Sequence, residues 1–333
     1  MKRRDFIKLS AGLGATMATT TLLSPAFAQT KMVLKAADVH PLGYPTVEAV
    51  LAMGKKLETA TNGRLTIQMF PSMQLGGEKE MIEQAQLGAL QIARISVGAV
   101  GPVVDDVNVF NMPFVFRNSK HMEKVIDGEI GDELLNKIST NEKTNLIALC
   151  WMNAGSRNVY NNKRPIRTMA DLKGLKVRMM GNPLFVDTMN ALGGNGVALG
   201  FDQVFSSMQT GVVDGAENNA PSFMAQNHYQ VAKYFTMTEH LIIPELVVFS
   251  RISWQKLSPE DQALIKKLSK EMQQEQRVLW YAAENAAIEK MKAAGTEIIT
   301  DIDKKPFQDA VKPVWDKYGA KYAAMVKRIE AVN

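Results

Sequence analysis

Cysteine, histidine and catalytic motifs are scarce in this chain of 333 residues. Its single cysteine, Cys150, cannot form an internal disulfide, and its place in an apolar run predicts a small buried hydrophobe. No Gly-x-Ser-x-Gly or phosphate-loop motif occurs. The histidines are scattered without metal-ligand spacing: His40, His121, His228 and His240. We therefore expect no metal, no cofactor and no enzymatic activity.

Long apolar runs are also missing, and the mild one near the start belongs to an export signal. Residues 2–8 carry a twin-arginine pattern, an apolar stretch runs from Leu9 to Leu23, and residues 26–28 form a small-x-small cleavage site. The stretch is too short and too rich in glycine and threonine to span a bilayer. We predict a twin-arginine signal peptide at residues 1–28, a periplasmic location and no direct insertion into the membrane.

The excess of positive charge lies mostly in that leader. The whole chain has a formal net charge of +5. Without residues 1–28 it has 35 basic residues (39 less 4) against 33 acidic ones (34 less 1), a net charge of +2. The remaining chain therefore gives no charge argument for binding nucleic acid.

Short β-like runs alternate with helical patterns along the rest of the chain, which predicts an α/β fold. Residues 86–91 and 209–214 look like one helix–glycine–strand step used twice, which favours two lobes of like construction. The longest helical pattern runs from Pro259 to Ala294, and an unbroken helix there would be about 54 Å long and would span both lobes. The alternative is two helices that break near Gln273–Gln276.

Polar side chains stand at the ends of strand-like runs between residues 151 and 219. Arg178 ends an apolar run with no obvious solvated face, so its guanidinium is expected to pair with a carboxylate rather than lie on the surface. Arg157 follows a Gly-Ser turn, and the ligand role and the surface role are equally compatible with its position. The amides of Asn218 and Asn219 suit sugar hydroxyls, although asparagine in a turn often serves the backbone.

Three further residues are weaker candidates. Arg94, in another apolar run, either reaches a cleft or pairs with a neighbouring carboxylate. Glu78 starts a helix, where it either accepts hydrogen bonds from ligand hydroxyls or complements the helix dipole. Phe201 either packs on an apolar face of the ligand or belongs to the core. Together these side chains indicate a cleft that binds a small carboxylate with several hydroxyls.

Four segments, in their order and spacing, resemble the solute-binding proteins of TRAP (tripartite ATP-independent periplasmic) transporters: residues 70–78, 112–116, 171–178 and 209–218. The resemblance extends over essentially the whole chain after residue 28. It implies a two-lobed periplasmic binding protein fold with a hinge and a long helix that spans both lobes. It also implies that ligand closes the cleft and is delivered to the permease subunits in the membrane. We assign residues 29–154 and 244–283 to lobe I, and residues 155–243 and 284–333 to lobe II.

The same resemblance implies roles for individual residues. The arginine that binds the ligand carboxylate falls on Arg178, a second contact on Arg157 and a third on Asn218, while Glu78 and Phe201 match positions that line the pocket.

Another part of the resemblance concerns the ligand. Residues 40–46, which begin at His40, together with Arg94 and the pair Asn218 and Asn219, look most like members that bind hexuronates such as glucuronate or galacturonate. A C4-dicarboxylate is the alternative ligand, because three arginines fit two carboxylates. An acid-handling enzyme and a sensory module that presents the same ligand also stay open. We expect a monomer.

Overall fold

Two β-sheets organise residues 31–333, the part of the chain that this computed structural model describes. The predicted signal peptide at residues 1–28 lies outside the described residues. Within residues 31–333, every helix is too short or too polar to cross a bilayer. The strands are β1 (Met32–Ala37), β2 (Leu65–Phe70), β3 (Ile92–Ser96), β4 (Leu146–Met152), β5 (Ser156–Asn161), β6 (Lys176–Met179), β7 (Asn195–Ala198), β8 (Gly215–Asn218), β9 (Tyr234–Ile242), β10 (Glu245–Ser250) and β11 (Glu297–Ile299).

The helices pack on the faces of these sheets, as the alternating pattern predicts. They are α1 (Pro45–Ala60), α2 (Glu78–Gln86), α3 (Val97–Val100), α4 (Ser119–Asp127), α5 (Glu129–Thr140), α6 (Pro183–Ala191), α7 (Val204–Gln209), α8 (Ala220–Ala225), α9 (Arg251–Trp254), α10 (Pro259–Ala293), α11 (Lys305–Ala310), α12 (Lys312–Val314) and α13 (Ala323–Glu330).

The first sheet has the strand order β2-β1-β3-β10-β4, and the second has β11-β9-β5-β8-β6-β7. In each sheet, a strand that arrives from the other sheet runs antiparallel to its neighbours: β10 lies between β3 and β4, and β5 lies between β9 and β8. The chain passes from one sheet to the other three times: between β4 and β5, between β9 and β10, and, through α10, between β10 and β11. Two α/β sheets joined by such crossovers confirm the predicted fold class.

The long helix α10 is continuous over 35 residues, about 52 Å at 1.5 Å per residue. The Ser258 side chain accepts a hydrogen bond from the amide of Asp261 and caps its N-terminus. The helix packs against α1 and β4 on the first sheet and against α8 and β11 on the second. The helix therefore spans both sheets, and the alternative of a break near Gln273–Gln276 is wrong.

The C-terminal segment after α10 contacts parts of the chain next to both sheets. Lys321 pairs with Asp105 at 2.7 Å, and Lys317 pairs with Asp187 at 2.7 Å. The assignment of residues 284–333 to lobe II, like the other lobe boundaries, stays a prediction.

The strands place the polar candidates at facing edges of the two sheets. In the second sheet β6 is parallel to β8, with Arg178 opposite Ala216, and β5 is antiparallel to β8, with Asn158 opposite Asn218. The carboxyl ends of β6 and β8 therefore meet the start of β5, where Arg157 lies. In the first sheet, the ends of β1 and β3 meet the start of β10 at Glu245 in the same way.

Candidate ligand-binding site

A cavity of about 300 Å³, its opening to solvent included, lies between these two edges. Most of its lining side chains are polar, and both sheets contribute. The lining residues are Val39, His40, Glu78, Arg94, Ser96, Arg157, Arg178, Met180, Phe201, Asn218, Ser222 and Glu245.

All but one of the candidate ligand-binding residues predicted from the sequence line this cavity. The exception is Asn219, whose side-chain oxygen accepts a hydrogen bond from the Ser222 amide at 2.8 Å and so caps α8. Its position agrees with the backbone role that asparagine often has in turns.

Arg178 is a buried arginine without a carboxylate partner among residues 31–333. Its side chain is 2 % exposed, and its Nε donates to the Leu199 carbonyl at 2.9 Å. The terminal nitrogens of its guanidinium have no hydrogen-bond partner among the described residues, and the group lies 5.7 Å from the centre of the Phe201 ring. Burial lowers the pKa of Arg178, and the nearby Arg157 lowers it further although Glu217 raises it. A buried guanidinium in this state needs an anion in the cavity.

Arg157, by contrast, is already paired with a carboxylate. Its Nε donates to Oε2 of Glu217 at 2.5 Å, and one terminal nitrogen donates to Oε1 of Glu217 at 2.7 Å. The other terminal nitrogen donates to the side-chain oxygen of Asn218 at 3.0 Å. Burial would lower the pKa of Arg157, but the Glu217 carboxylate more than offsets this and raises it. Arg157 therefore lines the cavity as half of an ion pair and holds Asn218 in place.

Arg94 lies at the centre of a cluster of three carboxylates. It donates to Glu78 at 3.0 Å, to Glu245 at 2.7 Å and also to Asp38. Burial alone would raise the pKa of Asp38, but Arg94 and a hydrogen bond from His40 hold it below its usual value. Both roles that the sequence suggested for Arg94 therefore apply, because the side chain lines the cavity and also pairs with carboxylates.

His40 connects this cluster to the second sheet. Its Nδ1 lies 3.0 Å from Asp38 and its Nε2 lies 3.1 Å from the Ser222 hydroxyl, on α8. The ring stacks on Tyr44 with the centroids 3.7 Å apart. Burial and the Arg94 charge lower the pKa of His40, so the ring is neutral at pH 7.

Several polar atoms around the cavity are not used within residues 31–333. Asn218 accepts through its side-chain oxygen, but its amide nitrogen donates to no described residue. Glu78 accepts from Arg94 and from the Ser96 amide through Oε1 alone. Because buried polar groups are nearly always hydrogen-bonded, these free atoms point to a polar ligand.

Sequence reasoning missed several residues that shape the site. Glu217 precedes Asn218 in the sequence and could have been found as the partner of a buried arginine. Asp38 directly follows β1, two residues before His40. Glu245 gave only a weak signal, a charged residue at the start of an apolar strand. Within the described chain, no cluster of histidine, cysteine, aspartate or glutamate is placed to hold a metal ion.

A cavity between two α/β sheets, with one guanidinium that lacks an anion, defines a binding protein for a small acid. The model of the bacterial extracellular solute-binding protein family 7 (DctP) matches residues 36–321. The chain therefore belongs to this family, the solute-binding proteins of TRAP transporters.

Solved structures of TRAP periplasmic solute-binding proteins are similar to this chain over nearly its whole length. One from Pseudomonas putida F1, with bound D-glucuronate, is 59 % identical with a TM-score of 0.89 and covers 91 % of this chain and 98 % of its own. One from Citrobacter koseri, also with D-glucuronate, is 47 % identical with a TM-score of 0.89 and covers 91 % and 100 %. One from Bradyrhizobium sp. BTAi1, with α/β-D-galacturonate, is 41 % identical with a TM-score of 0.86 and covers 90 % and 99 %.

The Citrobacter koseri protein is also known in an apo, open structure. That form has a TM-score of only 0.79 to this chain, at 45 % identity and with 90 % and 98 % of the two chains covered. The ligand-bound form of the same protein scores 0.89. The structure described here is therefore closer to the ligand-bound conformation than to the open one.

Proposed function

We propose that this protein captures a hexuronate, such as D-glucuronate or D-galacturonate, in the periplasm and delivers it to the permease subunits of a TRAP transporter. The observation that carries the proposal is the Arg178 guanidinium, which is buried, faces the cavity and has no carboxylate partner among residues 31–333. The uronates bound by the similar proteins support the choice of ligand.

In this proposal the ligand carboxylate pairs with the two terminal nitrogens of Arg178. The amide nitrogen of Asn218 and the free oxygen of Glu78 bind hydroxyls of the sugar, and the Phe201 ring packs on its apolar face. Arg157, Arg94 and His40 position these groups through the contacts described above. No step of the proposal is catalytic.

The charges around the cavity favour one ligand carboxylate over two. Arg157 is neutralised by Glu217, and Arg94 is surrounded by three carboxylates. A second carboxylate of a C4-dicarboxylate would therefore lie close to acidic groups with no unpaired cation to bind it. The free donor of Asn218 and the free acceptor of Glu78 are matched by hydroxyls instead.

Cleft closure follows from the distribution of these groups. Glu78 and Arg94 belong to the first sheet and its helices, whereas Arg178 and Asn218 belong to the second. A ligand that contacts both sets stabilises the closed form, because only that form makes all the bonds. We propose that the two lobes with the boundaries given above are the bodies that move.

The test is a thermal-shift screen followed by calorimetry on the chain without residues 1–28. The panel contains D-glucuronate, D-galacturonate, gluconate, succinate and, as a control without a carboxylate, glucose. We expect the uronates to raise the melting temperature, because a ligand selective for the native state stabilises it. Stabilisation by succinate and not by either uronate would establish the dicarboxylate alternative. Loss of uronate uptake in a strain that lacks this chain would test delivery to the permease.

A further inference from the structure

Glu245 is a buried carboxyl group that lines the cavity and uses only one of its two oxygens. Its side chain is 7 % exposed, and Oε2 accepts a hydrogen bond from Arg94 at 2.7 Å. Its Oε1 has no hydrogen-bond partner among residues 31–333, and Glu245 is part of the cavity wall. This oxygen is therefore available to a ligand.

The positive and negative charges of the ionisable groups at the cavity are not equal in number. Three guanidiniums, those of Arg94, Arg157 and Arg178, stand against four carboxyl groups: Asp38, Glu78, Glu217 and Glu245. With all of them ionised, the described site has a net charge of −1, and the arrival of a ligand carboxylate would make it −2. Such an excess of buried negative charge is costly unless one carboxyl takes up a proton.

The histidines nearby do not correct this imbalance. Burial lowers the pKa of His228 to about 3 and that of His240 to about 4, and it also lowers the pKa of His40. All three rings are therefore neutral at pH 7. The charged or titratable groups that interact with Glu245 come from β3, α2, the end of β1, the start of α1 and β5. They are Arg94, Glu78, Asp38, Tyr44 and Arg157, and His40 lines the same cavity.

Glu245 and Asp38 both contact Arg94, and Glu245 gains a proton more easily than Asp38. Burial raises the pKa of Glu245 to about 7, although the Arg94 guanidinium lowers it. Asp38 differs, because Arg94 and His40 hold its pKa below the usual value.

We propose that Glu245 is a proton-linked recognition residue, so that capture of the sugar acid is accompanied by uptake of a proton from solvent onto the Glu245 carboxylate. The inference rests on the proposed function above. In the bound state the protonated carboxyl group donates from Oε1 to an oxygen of the ligand, while Oε2 still accepts from Arg94. One O–H bond forms on Glu245, and the proton comes from the buffer.

The direction of the pH dependence follows from the charges. A bound anion raises the pKa of Glu245 further, because like charges disfavour ionisation. Affinity is then full below the pKa that Glu245 has in the free protein, and it falls as the pH rises above that value. The dissociation constant should therefore increase between pH 6 and pH 8, by up to about tenfold per pH unit.

Isothermal titration calorimetry of D-glucuronate in buffers of different ionisation enthalpy measures the number of protons taken up. With the wild-type chain we expect uptake of up to about one proton at pH 7 and at pH 8. Binding with no uptake at either pH would overturn this inference and leave the proposed function intact. Absence of binding in every buffer would overturn the proposed function and this inference together.

Two variants then locate the proton. In Glu245→Gln the side chain cannot titrate, so we expect no proton uptake and an affinity that is independent of pH between 6 and 8. The matched control is Glu284→Gln, because burial also raises the pKa of Glu284 but this residue lines a different cavity. Proton uptake that persists in Glu245→Gln, or disappears in Glu284→Gln, would contradict the assignment. If Glu245→Gln fails to fold, the wild-type titration still decides whether the linkage exists.

Discussion

Three buried arginines line one cavity, and they have different roles because they contact different numbers of carboxylates. Arg94 contacts three carboxylates, Arg157 contacts one, and Arg178 contacts none among residues 31–333. A guanidinium surrounded by carboxylates stabilises the positions of its neighbours, whereas a buried one without an anion is stable only when a ligand supplies it.

Replacement of Arg178 by alanine should therefore remove most of the affinity for uronates. We expect a loss of about 2–5 kcal/mol in binding free energy, the cost of removing one partner of a buried charge pair. Calorimetry with D-glucuronate measures this loss. Arg178→Lys should also bind more weakly than the wild type, because an ammonium group cannot form the two-pronged pair.

The matched control is Arg167→Ala. Arg167 is half exposed and pairs with Asp301 at 2.7 Å, away from the cavity. Its removal should leave the affinity unchanged. Equal affinities of wild type and Arg178→Ala would rule out the carboxylate role of Arg178.

At the scale of elements, the long helix α10 and the crossover between the sheets are joined by two glutamines. The Gln273 side chain accepts from the Trp151 amide at 3.1 Å. Gln276 accepts from the amide of Asn153 at 2.9 Å and donates to its carbonyl at 2.8 Å. Trp151 lies on β4, the edge strand of the first sheet, and Asn153 lies between β4 and β5. These backbone groups have no strand partner on the side of the helix, and the two glutamines satisfy them.

The Gln276→Ala variant should be less stable than the wild type by about 1–3 kcal/mol or more, since it leaves a buried amide and a buried carbonyl of Asn153 without partners. Equilibrium unfolding in urea measures the change. Gln274→Ala, two residues earlier and exposed on the same helix, should change stability by less than about 0.5 kcal/mol. Indistinguishable unfolding midpoints for Gln276→Ala and Gln274→Ala would show that the crossover does not depend on the helix.

At the scale of the whole molecule, we expect the relation of the two sheets to depend on the occupancy of the cavity. The structure resembles the ligand-bound Citrobacter koseri protein more than its open form, with TM-scores of 0.89 and 0.79. In the closed arrangement Arg178 is 2 % exposed, and without ligand its charge is unpaired. Burial of an unpaired charge is unfavourable, so the protein without ligand should favour an open form.

Small-angle X-ray scattering should show this change. We expect the radius of gyration of the free chain to decrease when D-glucuronate is added, because the ligand stabilises the closed form. Arg178→Ala should show no decrease at the same ligand concentration, whereas Arg167→Ala should behave as the wild type. A radius of gyration that is the same with and without ligand, under conditions where calorimetry detects binding, would argue against closure.

The elements were largely predictable from local signals. The helical pattern over residues 183–192 and the alternating pattern over residues 64–70 predict a helix and a strand that agree with the structure to within one residue at each end. The signals failed near residues 202–217. The patterns there predict one helix over residues 202–210 and a strand over residues 212–217. The structure instead has a 3₁₀ turn at Phe201–Gln203 followed by α7, and β8 begins three residues later than predicted, at Gly215. In this segment apolar residues such as Val212 are exposed, so that the apolar pattern does not mark the strand.

The sequence by itself determined which side chains could bind an acid, because an arginine within an apolar run has no solvated face and must find an anion. It also determined the length of α10 through its caps at Ser258 and Gly295. The tertiary structure alone decided which arginine is free. Glu217 reaches Arg157 from a neighbouring strand, and Glu245 reaches Arg94 across 151 positions of the chain. Charge pairing depends on distances of a few ångströms in space, and no local pattern of residues encodes those distances.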